Sequence, residues 1–148
     1  MSQSLAKVNV HIVFTTKFGQ KLILEELRKS LHSFIVGVLS NLGGYTYALY
    51  ANSDHIHILC TLSRTITMAV LVSKIKTSTS KWMKKQGVEN FFLQDGYGIF
   101  SVSASHLAKV EKYILLQPEH HLSIDFKDEI RFLLDENEIA YDERYVWD

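Results

Sequence analysis

The sequence predicts a single α+β domain with one antiparallel sheet and helices packed on it. Short segments in which apolar and polar residues alternate, typical of strands, are interleaved with longer segments in which apolar residues recur every three or four positions, typical of helices. The chain has 148 residues, about the size of one ordinary domain, and 47% of them are hydrophobic. We therefore expect one domain over residues 1–148, with one core and one functional site.

The first half of the chain alternates between strand and helix patterns. Residues 7–16 alternate, with Val10 and Ile12 on one side and Asn9 and His11 on the other, which predicts a strand. Residues 20–41 carry apolar side chains at helical spacing, and a pair of glycines ends this helix. Two strands follow, and the turn-forming residues between them predict a hairpin. They span residues 45–50 and 55–62.

The second half predicts a helix over about residues 66–85 and a short strand over residues 99–103. Ser105 is expected to be the N-cap of a further helix that reaches about residue 117. A last helix lies near residues 126–137. A hairpin placed between two crossover helices is the split β-α-β order of ferredoxin-like and RRM-like folds, here extended by C-terminal helices.

Composition narrows the setting in which the protein works. Cys60 is the only cysteine, so no intrachain disulfide can form and a reducing compartment is expected. Its side chain would point with Ile56 and Ile58, into the core. No apolar run approaches membrane-spanning length, and the N-terminus lacks the apolar segment of a signal peptide. We expect a cytoplasmic protein without a membrane partner.

The charges are unevenly distributed along the chain. Residues 1–124 contain 13 Lys and Arg against 7 Asp and Glu, a net charge of +6, whereas residues 125–148 contain 3 against 9, a net charge of −6. An acidic C-terminal tail therefore offsets a basic body. A basic face would suit phosphate groups, although a solvated lysine surface would give the same count.

Two histidines one residue apart are the strongest local signal. On a strand, His55 and His57 point to one face, while Ile56 and Ile58 point to the other and can be buried. Two neutral imidazoles at this spacing can ligate a divalent metal, although surface or hydrogen-bonded histidines would show the same pattern. His11 lies on the neighbouring strand, either near this site or as a satisfied strand histidine.

A tyrosine and a glutamine are the second signal. On a helix, Tyr113 and Gln117 are four residues apart and share one face. A partly buried tyrosine and a surface amide would look the same, so this pair alone indicates little.

Together these motifs resemble the single-tyrosine HUH transposases of the insertion sequence 200/605 family, which includes repeat-associated tyrosine transposases. HUH denotes two histidines around a hydrophobic residue, here His55-Ile56-His57. The resemblance covers nearly the whole chain, with the motifs in order. They are HIVFTTK at residues 11–17, DHIH at 54–57, IKTS at 75–78, QDGYGIFSVS at 94–103, and Tyr113-Ile114 with Gln117 and His120-His121.

The resemblance implies the roles of four residues. His55, His57 and Gln117 would be the protein ligands of Mg²⁺ or Mn²⁺, which would act as a Lewis acid on the phosphate. Tyr113 would attack phosphorus, leaving a 5′-phosphotyrosine and a free 3′-hydroxyl. A second 3′-hydroxyl could reverse this step and join new ends without an external energy source.

Two positions depart from the family pattern. Leu116 stands where the family often has asparagine, and Pro118 is expected to kink or end the helix. The placing of His120 and His121 is therefore open. So is the base that ionises Tyr113, for which the bound metal, water and His120 are candidates.

The resemblance also implies the partners. We expect a bacterial or archaeal transposase that excises and inserts an insertion sequence, acting on single-stranded DNA with hairpin ends and associated with the nucleoid when active. We also expect a homodimer in which the tyrosine helix serves the partner's metal site. Alternatives are a domesticated repeat-processing nickase, a replication-initiator type of HUH endonuclease, and a non-catalytic nucleic-acid-binding module.

A basic segment before residue 86 is the candidate DNA-binding surface. Its tryptophan could stack on an exposed base, although packing in the core is the alternative. The segment contains Lys74, Lys76, Lys81, Trp82, Lys84 and Lys85. Tyr97 and Phe100, near a glycine-rich turn, have the same two interpretations.

Overall fold

The computed structural model describes residues 2–121 and 123–148. Four strands form one sheet in the order β2-β3-β1-β4, and every neighbouring pair is antiparallel. This is the predicted α+β, ferredoxin-like order. The elements are β1 (Val8–Thr15), α1 (Glu25–Asn41), β2 (Thr46–Ala51), β3 (His55–Leu62), α2 (Met68–Lys85), β4 (Gly98–Ser101), α3 (Leu107–Leu115), α4 (Gln117–His120) and α5 (Phe126–Glu136), with 3-10 turns at Lys17–Gly19 and Ala104–His106.

One face of the sheet carries the main apolar core. Alternate residues of β1 and β3 point to this face and pack against the apolar stripes of α1 and α2. The stripes follow helical spacing, as the sequence predicts. Cys60 is buried here, as predicted, and burial raises the pKa of its thiol to about 12. The strand residues of this core are Val10, Ile12, Phe14, Ile56, Ile58 and Cys60.

The opposite face of the same strands carries the histidines. In the antiparallel register of β1 and β3, His57 pairs with Val13 and His11 pairs with Leu59. Leu59 and Ile114 of α3 belong to a smaller apolar cluster on this face. The sheet is therefore covered by α1 and α2 on one side and by the C-terminal helices on the other.

Two predicted helix boundaries are wrong. The first helix begins at Glu25 rather than near residue 20, because the chain before it is tied to the hairpin turn by a hydrogen bond from Ile23 N to Ser53 O of 2.9 Å. Ser105 is not the N-cap of α3. It lies within a 3-10 turn, and its hydroxyl is 3.1 Å from that of Ser103.

The predicted tyrosine helix is interrupted at Leu116. This residue has φ −94° and ψ 15°, so α3 ends at Leu115 and a short helix, α4, begins at Gln117. Pro118 lies in the first turn of α4, where its missing N–H costs no helical hydrogen bond. The proline therefore acts at the start of a new helix, and Gln117 remains buried.

The acidic residues 125–148 fold against the sheet rather than forming a free tail. Leu134 of α5 packs with Val13 and Phe100 in a second apolar cluster. At the C-terminus, the backbone oxygen of Asp148 accepts hydrogen bonds from Gly96 N at 3.1 Å and Gln94 Nε2 at 3.2 Å. Among the described helices, none combines the length and the hydropathy that crossing a bilayer requires.

Candidate functional site

The predicted site residues meet on the face of the sheet that the C-terminal helices cover. His55 and His57 direct their Nε2 atoms toward one carboxylate, that of Glu129 on α5. Glu129 Oε1 lies 3.2 Å from His55 Nε2 and 3.0 Å from His57 Nε2. Only 4% of Glu129 is exposed. The sequence interpretation missed this residue.

Gln117 joins the same cluster from α4. Its side-chain Nε2 donates to Glu129 Oε2 at 2.9 Å, and its Oε1 accepts from Asn52 Nδ2 at 3.1 Å. His121 Nε2 lies 3.0 Å from Gln117 Oε1 and 3.3 Å from Glu129 Oε1. The helix break at Leu116 thus still leaves both Gln117 and His121 facing the histidines of β3.

Tyr113 reaches the cluster from α3 of the same chain. Its hydroxyl donates a hydrogen bond to Glu129 Oε2. Its ring centroid lies 5.9 Å from that of His57 and 4.8 Å from that of His120. His120 Nε2 is buried and has no hydrogen-bond partner among the residues that the structure describes. All four residues of the predicted core site are therefore brought together within one chain.

The two strand histidines are oriented by hydrogen bonds at their other ring nitrogen. His55 Nδ1 lies 2.6 Å from Asp54 Oδ1, and His57 Nδ1 lies 2.8 Å from His11 Nε2. These contacts leave both Nε2 atoms to face the shared carboxylate. His11 therefore lies beside the site, which decides between the two interpretations that its position on the first strand allowed. Contacts of this kind set the orientation of metal-binding histidines in proteins.

Burial and charge act on these histidines in different proportions. Burial lowers the pKa of His55, but hydrogen bonds to Asp54 and Glu129 outweigh burial, so this pKa is raised. For His57, burial outweighs the attraction of Glu129, and its pKa is lowered. Burial, with a smaller contribution from His57, lowers the pKa of His11 to about 3. His11 and His57 are therefore neutral near pH 7.

The pKa values of Glu129 and Tyr113 are displaced in opposite directions. Burial raises the pKa of Glu129, but hydrogen bonds from the surrounding imidazoles, with His121 first, outweigh burial and hold this pKa well below its usual range. Burial and the charge of Glu129 raise the pKa of Tyr113. A phenol in this environment needs a cation or a proton acceptor close by before it can act as a nucleophile.

The donor atoms fit a divalent metal ion. One ligand atom each from His55, His121 and Glu129 lies within 4.8 Å of the other two. His57 Nε2 adjoins this group, 3.0 Å from the same carboxylate oxygen. Imidazole nitrogens and carboxylate oxygens together suit Mn²⁺ and related first-row ions. The residues that could hold such an ion are thus convergent; His55, His57 and Glu129 are buried, and His121 is partly buried.

The predicted DNA-binding residues of α2 lie on the other side of the sheet from this site. Trp82 is half-buried and stacks on Phe34, with ring centroids 5.6 Å apart, so it packs against the core. Lys76 Nζ donates to the backbone oxygens of residues 94–96, so it anchors that segment. Phe100 is buried in the second apolar cluster. The exposed lysines are Lys74, Lys81, Lys84 and Lys85.

A groove beside α2 combines some of these lysines with aromatic rings. Lys81 and Lys84 line it on one side, and Phe92 and Tyr97 line it on the other. Lys84 Nζ lies 4.3 Å from the centroid of the Phe92 ring. Exposed cations beside exposed rings are the chemistry that suits single-stranded nucleic acid.

Comparison with known families defines the class of the protein. Residues 4–117 match the family model described as transposase IS200-like. The protein is therefore a transposase, a class of enzyme that cleaves DNA. More narrowly, the chain belongs to the IS200-like transposase family, which confirms the resemblance predicted from the sequence. His121 and Glu129 lie beyond the matched residues.

Two solved structures have a similar fold. A candidate transposase from Deinococcus radiodurans R1 has a TM-score of 0.61 and 19% sequence identity, covering 79% of this chain and 98% of that chain. A REP-associated tyrosine transposase bound to a REP hairpin has a TM-score of 0.60 and 16% identity, covering 82% of this chain and 74% of that chain. At these identities the likeness concerns the fold. No curated protein matches the sequence.

Proposed function

We propose that this transposase cleaves and rejoins single-stranded DNA through a covalent bond between Tyr113 and a 5′-phosphate. His55, His57 and Gln117 would hold Mg²⁺ or Mn²⁺. The observation that carries the proposal is the shared carboxylate of Glu129, which accepts the Tyr113 hydroxyl on one oxygen and faces the Nε2 atoms of His55 and His57 with the other. These contacts support the proposal, because they connect the candidate nucleophile with the candidate metal ligands.

The residues of this chain divide the work of the reaction. When bound, a divalent ion supplies positive charge against the phosphate oxygens and acts as a Lewis acid. Tyr113 Oη forms the new bond to phosphorus, and the bond from phosphorus to the 3′-oxygen breaks. The departing oxygen takes up a proton and becomes a 3′-hydroxyl. The phenol proton passes to a base beside Tyr113, for which water and His120, whose ring centroid lies 4.8 Å from that of Tyr113, are the candidates. The pKa of Glu129 is held well below its usual range, so its carboxylate is a poor base, and its hydrogen bond orients the Tyr113 hydroxyl.

The covalent link preserves the energy of the original phosphoester. A second 3′-hydroxyl can therefore attack the tyrosine ester, release Tyr113 and join a new pair of ends. The similar fold of a REP-associated transposase bound to a REP hairpin supports a hairpin-bearing DNA partner for this chain. A repeat-processing nickase would use the same residues. Short palindromes at the ends of a mobile segment would favour transposition, and scattered repeats would favour the nickase.

The test is a Tyr113→Phe variant incubated with Mn²⁺ and a single-stranded oligonucleotide that carries the palindromes flanking the gene. We expect the covalent protein–DNA band on a denaturing gel to fall at least about 1000-fold, because the phenylalanine ring has no oxygen to attack phosphorus. Tyr145→Phe is the matched control, since the Tyr145 side chain is 63% exposed, whereas the site residues cluster beneath the C-terminal helices. A covalent band that survives Tyr113→Phe would reject the assigned nucleophile.

We also propose that Tyr113 acts on DNA bound at the histidines of its own chain, because its hydroxyl already meets their shared carboxylate. The resemblance predicted a homodimer with exchanged tyrosine helices, and mixing inactive variants separates the two arrangements. A mixture of the Tyr113→Phe protein and the His57→Ala protein would restore cleavage only if the tyrosine of one chain acts at the histidines of the other. We expect no restoration, and recovery of about a quarter of the activity or more would support the composite dimer.

A further inference from the structure

We propose that Glu129 is a metal ligand through Oε1 while its Oε2 positions the Tyr113 hydroxyl, so that α5 completes the active site. This inference rests on the proposed function, since it assigns an additional ligand to the same ion. Glu129 lies outside the residues that match the family model, so the family match carries no role for it. Its role must come from its surroundings.

The first argument is the spacing of the donor atoms. Glu129 Oε1 lies 3.0 Å, 3.2 Å and 3.3 Å from the Nε2 atoms of His57, His55 and His121. Two ligands bound at right angles to one ion, each at about 2.1 Å, are about 3 Å apart. Each of the three imidazoles thus lies from Glu129 Oε1 at the distance that two ligands of one ion adopt.

The second argument is the charge balance of a buried acid. A buried carboxylate requires a cation or a full set of hydrogen bonds. In the described part of the chain, no lysine or arginine forms an ion pair with Glu129; its recorded ion-pair partners are histidines. A divalent ion bound to Oε1 would add positive charge beside a buried carboxylate whose ion-pair partners in this part of the chain are imidazoles.

The third argument is that the structure holds Glu129 firmly in place. Asp125 caps α5 by accepting a hydrogen bond from Asp128 N at 2.8 Å. Leu134 then anchors the helix against Val13 and Phe100 of the sheet. A metal ligand must be held in position, and a carboxylate on a capped and packed helix has little freedom to move away.

The carboxylate would also link the metal to the nucleophile. Its Oε2 accepts hydrogen bonds from the Tyr113 hydroxyl and from Gln117 Nε2. The Gln117 amide is therefore turned with its nitrogen toward Glu129 and its oxygen toward His121. A carboxylate among otherwise neutral ligands strengthens the binding of hard divalent ions. The imidazoles favour Mn²⁺ over Mg²⁺.

The test is calorimetric titration of the full-length protein with MnCl₂, without DNA, for the wild type and Glu129→Gln. We expect the Kd for Mn²⁺ to rise at least about 10- to 100-fold in Glu129→Gln, because loss of a group that only supports a metal ligand already weakens metal binding by this factor. Glu136→Gln is the matched control, because Glu136 is on the same helix but exposed, and its Kd should equal that of the wild type. Circular dichroism of each variant checks that it is folded.

The outcomes separate this inference from the proposed function. If Glu129→Gln binds Mn²⁺ as tightly as the wild type while His57→Ala does not bind it, Glu129 is not a ligand and the proposed function stands. Tighter binding by Glu129→Gln would mean that the carboxylate occupies the place of the ion, which also overturns the inference. Absence of Mn²⁺ binding by the wild type would remove both the inference and the metal-dependent mechanism.

Discussion

The two faces of the sheet are built from the same strands, but one buries apolar side chains and the other buries polar ones. On one face, Ile12 and Ile58 pack against α1 and α2 in an entirely apolar core. On the other, the neighbouring positions in sequence include His11 and His57, which are equally buried but polar. Apolar burial stabilises the fold directly, whereas burial of the His11 and His57 imidazoles is tolerated because both have hydrogen-bond partners. One face therefore carries the stability and the other carries the chemistry.

The polar face is satisfied by hydrogen bonds that run across the sheet. Tyr47 Oη donates to Asn9 Oδ1 at 3.0 Å, and Thr15 Oγ1 donates to the backbone oxygen of Asp54 at 2.6 Å. His55 and His57 each use Nδ1 for a hydrogen bond and direct Nε2 to Glu129. These hydrogen bonds, together with the small apolar clusters around Leu59 and Val13, hold the buried polar side chains in place.

The largest effect is expected on the apolar face. Ile58→Ala should lower the free energy of unfolding by roughly 2–5 kcal/mol, because Ile58 is fully buried and its loss leaves a cavity. Urea denaturation in the presence of a chelator measures this without any metal contribution. The control is Val36→Ala, at a position that is 43% exposed, where the change should stay within about 0.5 kcal/mol. A loss below about 1 kcal/mol would argue against a tightly packed core on this side.

A smaller effect, and one specific to the polar face, is expected from pH. The pKa of His11 falls from 6.5 to about 3 on folding. Below pH 6.5 the unfolded chain therefore binds a proton that the folded chain does not, and stability decreases as the pH falls. Between pH 7 and pH 5 this contribution amounts to about 2 kcal/mol. Between pH 7 and pH 5, the free energy of unfolding of His11→Asn should therefore decrease by about 2 kcal/mol less than that of the wild type.

The pH measurement uses urea denaturation of the metal-free protein at both pH values. His106→Asn is the control, because His106 is exposed and its replacement should leave the pH profile of the wild type. A His11→Asn profile parallel to that of the wild type would show that His11 takes up its proton without cost. The contrast between a strongly buried polar face and an apolar one would then be weaker than the structure indicates.

The smallest effect should come from the link between α2 and the segment before β4. Lys76→Met removes hydrogen bonds from Nζ to the backbone oxygens of Asp95 and Gly96, each 3.1 Å long, and should cost about 1 kcal/mol because the amine is only partly buried. Lys74→Met, at an exposed position of the same helix, should leave the thermal unfolding midpoint unchanged.

For DNA binding we expect the reverse order, with Lys74→Met weakening salt-dependent affinity more than Lys76→Met.

The order of elements and the core face could be predicted because both depend on local patterns. The alternation in β1 and the helical spacing in α1 are properties of neighbouring residues. The start of α1 could not be predicted, since the hydrogen bond from Ile23 to Ser53 that sets it involves residues that are distant in sequence. The break at Leu116 was partly signalled by Pro118, whose placement in the first turn of a new helix emerged only in three dimensions.

Glu129 shows most clearly what the sequence left hidden. Among the nine acidic residues after position 124 it looked like part of a charged tail. One signal was available, because Glu129 lies three residues after Phe126 and four before Leu133, a spacing that puts it beside the apolar side of a strongly amphipathic helix. A carboxylate in an apolar stripe is expensive to bury without a partner. That position could have indicated a functional role, but not which residues it meets.

The sequence by itself determined which chemical groups are available and how each is displayed locally: two imidazoles on one side of a strand, and a phenol and an amide one helical turn apart. Local geometry suffices for this, because side-chain direction repeats with the backbone. Only the tertiary structure decided that α3, α4 and α5 close over the histidine side of the sheet and bring Glu129 to all of them. That choice depends on packing between segments that are more than 70 residues apart along the chain, such as His57 and Glu129.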